Sequence, residues 1–301
     1  MEFLEILKII LLGIVEGITE WLPVSSTGHL ILLNYFLPLQ DVNEHFADMF
    51  EFVVQLAAIL AVIVVFWKRI FPFKLEKTSI QTEENNGSIE GEKSAKNKLV
   101  ADMGILKLWL KVALACVPAL LALIIDTLFD NLTPLWESLI IAGALILYGI
   151  VFIVVEKHNK KEPKWKEVSE ISYQYAFFIG CFQLLAAVPG TSRSGVTIIG
   201  ALLLGVSRTA ATEFTFFLAI PTMVGASAYK LLKFFLAAGT MSGAEIGYLL
   251  IGSAVAFVVS LFAIKFLTNF VKKHDFKVFG WYRIALGIVV ICALVLPPLL
   301  A

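Results

Sequence analysis

The chain has 301 residues, of which 59% are hydrophobic and only 16% charged, with a formal net charge of zero and a mean hydropathy of +0.86. A soluble domain carries about 25% charged residues, so this sequence has too little polar surface to face water and reads as an integral membrane protein. The neutral balance removes any general electrostatic case for nucleic acid as partner, and Cys116, Cys181 and Cys292 lie at unrelated spacings in apolar stretches, which excludes a disulfide framework or a zinc site.

Taken in order, the apolar stretches are of two kinds. The first, Phe3–Trp21, holds Glu16 and Glu20 and has neither a basic n-region beyond Lys8 nor a small-residue cleavage site, so it is expected in the mature fold. It runs into a polar break, Leu22-Pro23-Val24-Ser25-Ser26-Thr27-Gly28-His29, and then a short apolar run, Leu30–Leu39. Three unbroken stretches follow, at about Ala47–Trp67, Leu106–Leu128 and Leu135–Val155. A second broken region comes next: Ile171–Val188, then Pro189-Gly190-Thr191-Ser192-Arg193-Ser194-Gly195, then Val196–Val206. The remaining unbroken stretches are Phe214–Leu236, Ile246–Leu267 and Val278–Leu299. Each unbroken stretch approaches the roughly 20 residues that span a hydrocarbon core of about 30 Å. Lys77–Lys98, with Asn85-Asn86-Gly87-Ser88 and mixed Glu and Lys, reads as a flexible cytoplasmic insertion without an assigned function.

Basic residues orient these elements. The Lys68–Lys107 connection holds eight Lys and Arg, the next but one holds Lys157, Lys160, Lys161, Lys164 and Lys166, and the Lys265–Lys277 connection adds Lys272 and Lys273, whereas Phe129–Pro134 has none. The positive-inside rule puts the three basic connections in the cytoplasm. The second broken region must then cross an even number of times, yet Val196–Val206 is roughly 16 Å long as a helix, too short to cross. A re-entrant helix-loop-helix satisfies both conditions, and the first broken region is expected to be re-entrant too, from the outer face, the opposite side from the second.

The halves also match: Gly13-Ile14-Val15-Glu16 parallels Gly180-Cys181-Phe182-Gln183, and Glu51-Phe52 parallels Glu213-Phe214. The expected fold is an all-α polytopic membrane protein. It has six transmembrane helices and two re-entrant segments (3–39 and 171–206), arranged as inverted repeats over 1–155 and 156–301. Such repeats place broken helices around a polar ligand near the midplane.

The candidate chemistry sits at the breaks. Glu16 and Glu20 stand four apart on one helix face. Two carboxylates inside an apolar segment are costly unless they share a cation or a function, and Mg2+ or Ca2+ would take their oxygens together with those of a phosphate. The plainer alternative is a pair snorkelling to the surface near a helix end. Ser25, Ser26, Thr27 and Gly28 open the short second run, where one or two would serve as caps. A helix start also offers N–H groups and a positive dipole end to an anion, and three hydroxyls beside His29 exceed what capping needs. His29 suits a general acid or base beside a nucleophile, against the structural role usual for a lone membrane-edge His. Arg193, among Thr191, Ser192 and Ser194, is either ordinary cytoplasmic charge or, in a re-entrant loop, a bidentate phosphate ligand.

The run Glu16-x-x-x-Glu20-Trp21-Leu22-Pro23-Val24-Ser25-Ser26-Thr27-Gly28-His29 and the run Pro189–Gly195 resemble the undecaprenyl-diphosphatase family of the bacitracin-resistance type. The resemblance covers nearly the whole chain, apart from the 77–98 insertion. It implies a bacterial plasma (inner) membrane enzyme, with its site facing the outer side, that hydrolyses undecaprenyl diphosphate to undecaprenyl phosphate and recycles the lipid carrier for cell-wall synthesis. It also implies a divalent cation, Mg2+ or Ca2+, at Glu16 and Glu20. Glu20, Ser26, His29 and Arg193 would be catalytic, and Ser25, Ser26, Thr27, Thr191, Ser192, Arg193 and Ser194 would surround the phosphates. Whether Ser26, His29 or an activated water attacks phosphorus stays open. The expected partner is the lipid diphosphate in the bilayer, with no nucleic acid and a homodimer left open. The rival reading is a lipid-phosphate transporter or flippase, because opposed broken helices in inverted repeats are a transporter architecture. The carboxylates beside His29 favour hydrolysis, since translocation alone needs no base.

Overall fold

In lipid every backbone N–H and C=O must be satisfied within the protein, so apolar runs of this length can only become helices. The computed structural model describes residues 2–40, 42–43, 46–79, 95–126, 128–129, 132–159, 162–238 and 240–300. Helices α1 (Phe3–Thr19), α2 (Ser26–Phe36) and α3 (Phe46–Ile70) are followed by strands β1 (Phe73–Ser79) and β2 (Ala95–Ala101). Helices α4 (Met103–Asp126), α5 (Pro134–His158), α6 (Tyr173–Gln183), α7 (Arg193–Leu203), α8 (Arg208–Ala238) and α9 (Gly243–Phe270) come next. Finally α10 (Lys277–Val290) continues through a π turn at Ile291–Val295 into α11 (Leu296–Leu300). Six helical segments of the described residues, in α3, α4, α5, α8, α9 and α10–α11, are long and apolar enough to cross a membrane. The protein is therefore a multi-pass membrane protein. Its outer helix faces agree: Leu60, Val64, Leu120, Leu250 and Phe262 are all more than half exposed, as lipid-facing side chains must be.

The chain's two ends of structure are distinct. At one, Arg69 of α3 pairs with Glu213 of α8, Arg208 pairs with Glu156 at the end of α5, and Glu156 also accepts from the Phe276 backbone N–H before α10. The Trp109 indole donates to Ile70 O, and Lys111 donates to Ser169 O. The three lysine-rich connections thus gather on one side, as the charge distribution requires. At the opposite end Glu245 of α9 accepts from Asn43 N–H, and Lys8 of α1 reaches both Glu5 and Pro38 O.

Those contacts also show that both short helix pairs double back. The start of α1 lies beside Pro38 and Gln40, just past α2, through Lys8 and Glu5. The segment leading into α6 lies beside the residues that follow α7, because Lys164 N–H donates to Gly205 O and Trp165 bridges Val206. The open ends of the two hairpins therefore lie at opposite ends of the bundle.

Small residues let the helices approach. A Cβ on Gly13 would stand 2.8 Å from Gly252 O, and one on Gly180 would stand 2.1 Å from Ala115 O. So α1 sits on α9 as α6 sits on α4. Helices α5 and α10 cross antiparallel through Gly149 and Gly280, each occluded by the other's carbonyl at 2.7 Å.

One expectation is corrected. The 77–98 insertion is expected to be flexible, but its two edges belong to a hairpin: β1 and β2 pair antiparallel from Phe73↔Ala101 to Ser79↔Ala95, with Glu76 opposite Lys98. The alternation of Phe73 and Leu75 with lysines, answered by Leu99 and Ala101, is a period-two signal that the surrounding charge masks. Residues 80–94 of the insertion lie outside the described residues.

The close approaches give a stability test. Gly180→Ala should lower the thermal unfolding temperature in detergent, by an overpacking cost of about 1–3 kcal/mol. Gly143→Ala, whose added Cβ meets nothing within 4 Å, should leave it unchanged or slightly raised.

Candidate active site

Each helix hairpin turns on a serine in the left-handed region. Ser25 has φ 74° and ψ 105°, Ser192 has φ 69° and ψ 112°, and no other described non-glycine residue has positive φ. Both are N-caps: Ser25 Oγ accepts from Gly28 N–H at 3.3 Å, and Ser192 Oγ accepts from Gly195 N–H at 3.2 Å. Such conformations cost about 1–3 kcal/mol each and persist at sites where the surroundings enforce them. The caps also move the helix starts. Ser26–His29 and Arg193–Gly195, expected in the breaks before their short runs, form the first turns of α2 and α7. The actual breaks are 20–25 and 188–192.

The two breaks are in direct contact. Arg193 Nη2 donates to Glu20 Oε1 at 2.7 Å, and Ser26 Oγ donates to the other oxygen, Oε2, at 3.1 Å. Ser194 Oγ, 2% exposed as a residue, bridges the breaks by donating to Glu20 O at 3.2 Å. It also lies 3.2 Å from Ser192 Oγ. Glu20 is nearly buried, while Ser26 and Arg193 are only partly covered. The result is a carboxylate with a hydroxyl on one oxygen and a guanidinium on the other, contributed by opposed hairpins. Trp21, fully buried and edge-on to Phe216 at 5.3 Å, anchors the first break in the core.

His29 is held elsewhere. Its Nδ1 lies 2.7 Å from Ser25 O, which makes Nδ1 the protonated nitrogen. Nε2 of the neutral ring then accepts from the Tyr282 hydroxyl at 2.7 Å, and the two rings stack at 5.6 Å. His29 is thus one turn from Ser26, and its hydrogen bonds and ring contact go to Ser25 O and Tyr282 rather than to Ser26 or a carboxylate. Thr27 is exposed and outside this network. Thr191 is fully buried, and its carbonyl is its link to the cluster. Of the residues expected from sequence, Glu20, Ser26, Arg193, Ser192 and Ser194 converge, and Ser25 shapes the turn.

Glu16 differs from Glu20. It is 2% exposed, neither of its oxygens meets a partner at hydrogen-bonding geometry, and Gln55, Glu20, Glu51 and Arg193 are the polar groups around it. Buried all-oxygen donors left in this condition fit a hard divalent cation. Among the described residues no group of three or more His, Cys, Asp or Glu gathers as a metal centre. A Mg2+-type site, which takes one or two carboxylates and completes its shell with water and phosphate oxygens, needs no such group.

Sequence reasoning missed Arg283 and Tyr282 of α10. Arg283 is fully buried, and its guanidinium donates to Thr191 O at 2.9 Å, Gly190 O at 3.0 Å and Pro23 O at 3.4 Å. One side chain thereby ties both breaks together. The signal was present: a lone Arg within an apolar span marks a function by default.

The comparisons with known proteins bear on this geometry. Residues 9–289 match the model of a family described as bacitracin resistance protein BacA. The chain belongs to the BacA family. Its BacA match includes both breaks and Arg283. The chain is 52% identical to the undecaprenyl-diphosphatase of Enterococcus faecalis over 293 residues, covering 97% of this chain and 98% of that protein. It is 50% identical to the undecaprenyl-diphosphatase of Lachnoclostridium phytofermentans over 96% of this chain and 97% of that protein. The undecaprenyl-diphosphatase of Streptococcus pyogenes serotype M1 is 49% identical over 95% of each.

Removing the Arg283 clamp tests its part in the site. Arg283→Met strands three carbonyls, each costing about 1–3 kcal/mol when buried without a donor. Thermal unfolding in detergent should show a clear loss of stability. Arg283→Lys should recover only part of it, because a point-like ammonium cannot replace the planar fork.

Proposed function

We propose that this protein is an integral membrane phosphatase that hydrolyses undecaprenyl diphosphate to undecaprenyl phosphate and inorganic phosphate, recycling the lipid carrier for cell-wall synthesis. The observation that favours it above all is Glu20, with Ser26 on one oxygen and Arg193 on the other, inside a BacA-family chain. Translocation of a lipid phosphate needs an anion site but no base on a hydroxyl, so this contact favours hydrolysis over a flippase.

The roles follow from chemistry. Arg193 offers a guanidinium suited to bidentate recognition of phosphate oxygens and to the charge that spreads over them in phosphoryl transfer. A diphosphate entering the site competes with Glu20 for that guanidinium, and a carboxylate released from Arg193 is a stronger base toward Ser26. Glu20 can then accept the Ser26 proton as the hydroxyl, or a water held by it, attacks the terminal phosphorus. The anhydride P–O bond breaks, and the prenyl monophosphate leaves with the proton held by Glu20; where Ser26 itself has attacked, a water deprotonated by Glu20 then cleaves the phosphoserine P–O bond, releasing inorganic phosphate and returning the proton to Ser26. His29, whose Nε2 faces the Tyr282 hydroxyl, is placed to exchange a proton at the edge of the site rather than to activate Ser26. A divalent cation, Mg2+ or Ca2+, at the unpartnered oxygens of Glu16 would neutralise phosphate charge when bound.

The matched turns at Ser25 and Ser192 and the matched approaches at Gly13 and Gly180 support two inverted repeats, 1–155 and 156–301. The hairpins that double back from opposite ends support re-entrant segments that do not cross. Gathering of the lysine-rich connections at one end supports a bacterial inner-membrane protein with that end cytoplasmic and the α1–α2 hairpin opening to the outer side.

The test is phosphate release from undecaprenyl diphosphate by the purified protein in detergent. Metal-dependent release of one phosphate per lipid is expected; lipid binding without release would favour the transporter. Glu20→Gln, Ser26→Ala and Arg193→Ala should each lower turnover by about 100- to 10,000-fold while a cooperative unfolding transition shows that each variant is folded. EDTA should abolish release, and Mg2+ or Ca2+ should restore it; full activity in chelator would refute a metal at Glu16.

A further inference from the structure

The first turns of α2 and α7 are built alike up to one position. Ser25 matches Ser192 and Gly28 matches Gly195, so His29 falls where the second hairpin has Val196. In the second hairpin the carbonyl of the strained serine, Ser192 O, receives the backbone N–H of Val196 at 3.1 Å. In the first, Ser25 O receives Nδ1–H of the His29 imidazole at 2.7 Å. One hairpin thus uses a side chain where its counterpart uses the backbone.

The two turns also carry different loads. The carbonyl of Ser25 and the nitrogen of Ser26 belong to one rigid peptide plane, so whatever fixes Ser25 O fixes the plane from which the Ser26 side chain springs. That plane follows a residue at φ 74°, a conformation that holds only where its surroundings enforce it. Ser26 Oγ must stay on Glu20 Oε2, 3.1 Å away. Arg193, at the matching place in the second hairpin, reaches Glu20 on a long side chain that absorbs small shifts of its backbone. A serine hydroxyl is one bond from its Cβ and has no such latitude.

Ser25 O can only accept, so the imidazole facing it carries its proton on Nδ1. The other edge of the ring is held by Tyr282 of α10, whose hydroxyl donates to Nε2 at 2.7 Å while the two rings stack with 13° between their planes. A hydrogen bond on one ring nitrogen sets the proton on the other. Arg283, the next residue, donates to Pro23 O. Two successive residues of α10 therefore hold the carbonyls on either side of Val24, one directly and one through His29.

We propose that Tyr282 is a positioning residue for the reacting hydroxyl: acting through His29, it holds the Ser25–Ser26 peptide so that Ser26 Oγ stays on Glu20. The proposal rests on the phosphatase reading and extends it to a residue whose own hydrogen bond goes to neither Glu20 nor Arg193.

Nitrogen-15 spectra of the histidine-labelled, substrate-free protein in detergent read which ring nitrogen carries the proton, with His29→Asn identifying the His29 signals. Wild type should show the proton on Nδ1. Tyr282→Phe, which keeps the stacked ring and loses the hydroxyl, should show the two tautomers mixed. In phosphate release from undecaprenyl diphosphate, Tyr282→Phe should lower kcat about tenfold with KM unchanged, and His29→Ala about 100-fold, the scale of a small misplacement of reacting groups. His29→Asn, whose amide N–H can meet Ser25 O as Nδ1–H does, should recover most of the His29→Ala loss. Adding Tyr282→Phe to His29→Asn should lower kcat no further, because the two residues act as one unit. Any one of four results overturns the proposal: an unchanged tautomer in Tyr282→Phe, an effect of Tyr282→Phe on KM alone, additive losses in the double variant, or His29→Asn as poor as His29→Ala. The last would make the imidazole a proton carrier instead. A cooperative unfolding transition shows that each variant is folded. No phosphate release by wild type would sink the phosphatase reading, and the spectra, which need no substrate, would still decide whether Tyr282 holds His29.

Discussion

A helix broken inside an apolar interior leaves backbone donors and acceptors that no solvent can satisfy, and the rest of this structure depends on how that is met. Around the first break, Pro23 O receives Arg283, Glu20 O receives Ser194, and Ser25 O receives His29. Around the second, Gly190 O and Thr191 O receive the same Arg283. Apart from His29, which belongs to the same hairpin, these donors are supplied by the other hairpin or by α10. Satisfying the backbone therefore brings Glu20 and Arg193 together. The Glu20–Ser26–Arg193 constellation follows from closing two gaps at once.

The same constraint accounts for the two strained serines. A break that turns within a few residues needs a left-handed step, and glycine would be the relaxed choice. Serine instead supplies its hydroxyl to the third N–H of the helix that follows, so strain in φ is offset by a cap. Glycine is kept three residues later, at Gly28 and Gly195, where a Cβ would meet Leu145 at 3.0 Å and the Ser192 side chain at 3.3 Å. Both turns use the identical solution.

Charge is distributed with the same parsimony. Arg283 takes neutral carbonyls, so the clamp adds no anion to the interior, while Arg193 takes Glu20, so its guanidinium is held in place by a carboxylate from the opposed hairpin. In a low-dielectric interior such pairs are strongly coupled. The arrangement suits exchange of one anion for another at Arg193, with the backbone framework unmoved because Arg283 and Ser194 hold it independently.

The sequence by itself determined the class and the outline. Six apolar runs of spanning length, their basic flanks and two polar breaks sufficed to expect the spans and to name Glu20, Ser26 and Arg193, because hydropathy and charge are local properties that lipid reads directly. It also offered Arg283 and Glu51 in plain view as ionisable residues within or at the edge of spans, but without partners an isolated charge has no assignable role. Only the tertiary structure decided which groups meet. It placed Glu20 against Ser26 rather than leaving that hydroxyl to His29, and turned His29 toward Tyr282 on a helix 253 positions away. It set Glu16 beside Glu51 across α1 and α3. It also paired β1 with β2 where charge had suggested a flexible loop. These pairings depend on the approach of helices far apart in sequence, set by close contacts such as Gly13 on Gly252 and Gly180 on Ala115, and no local pattern encodes a distance between them.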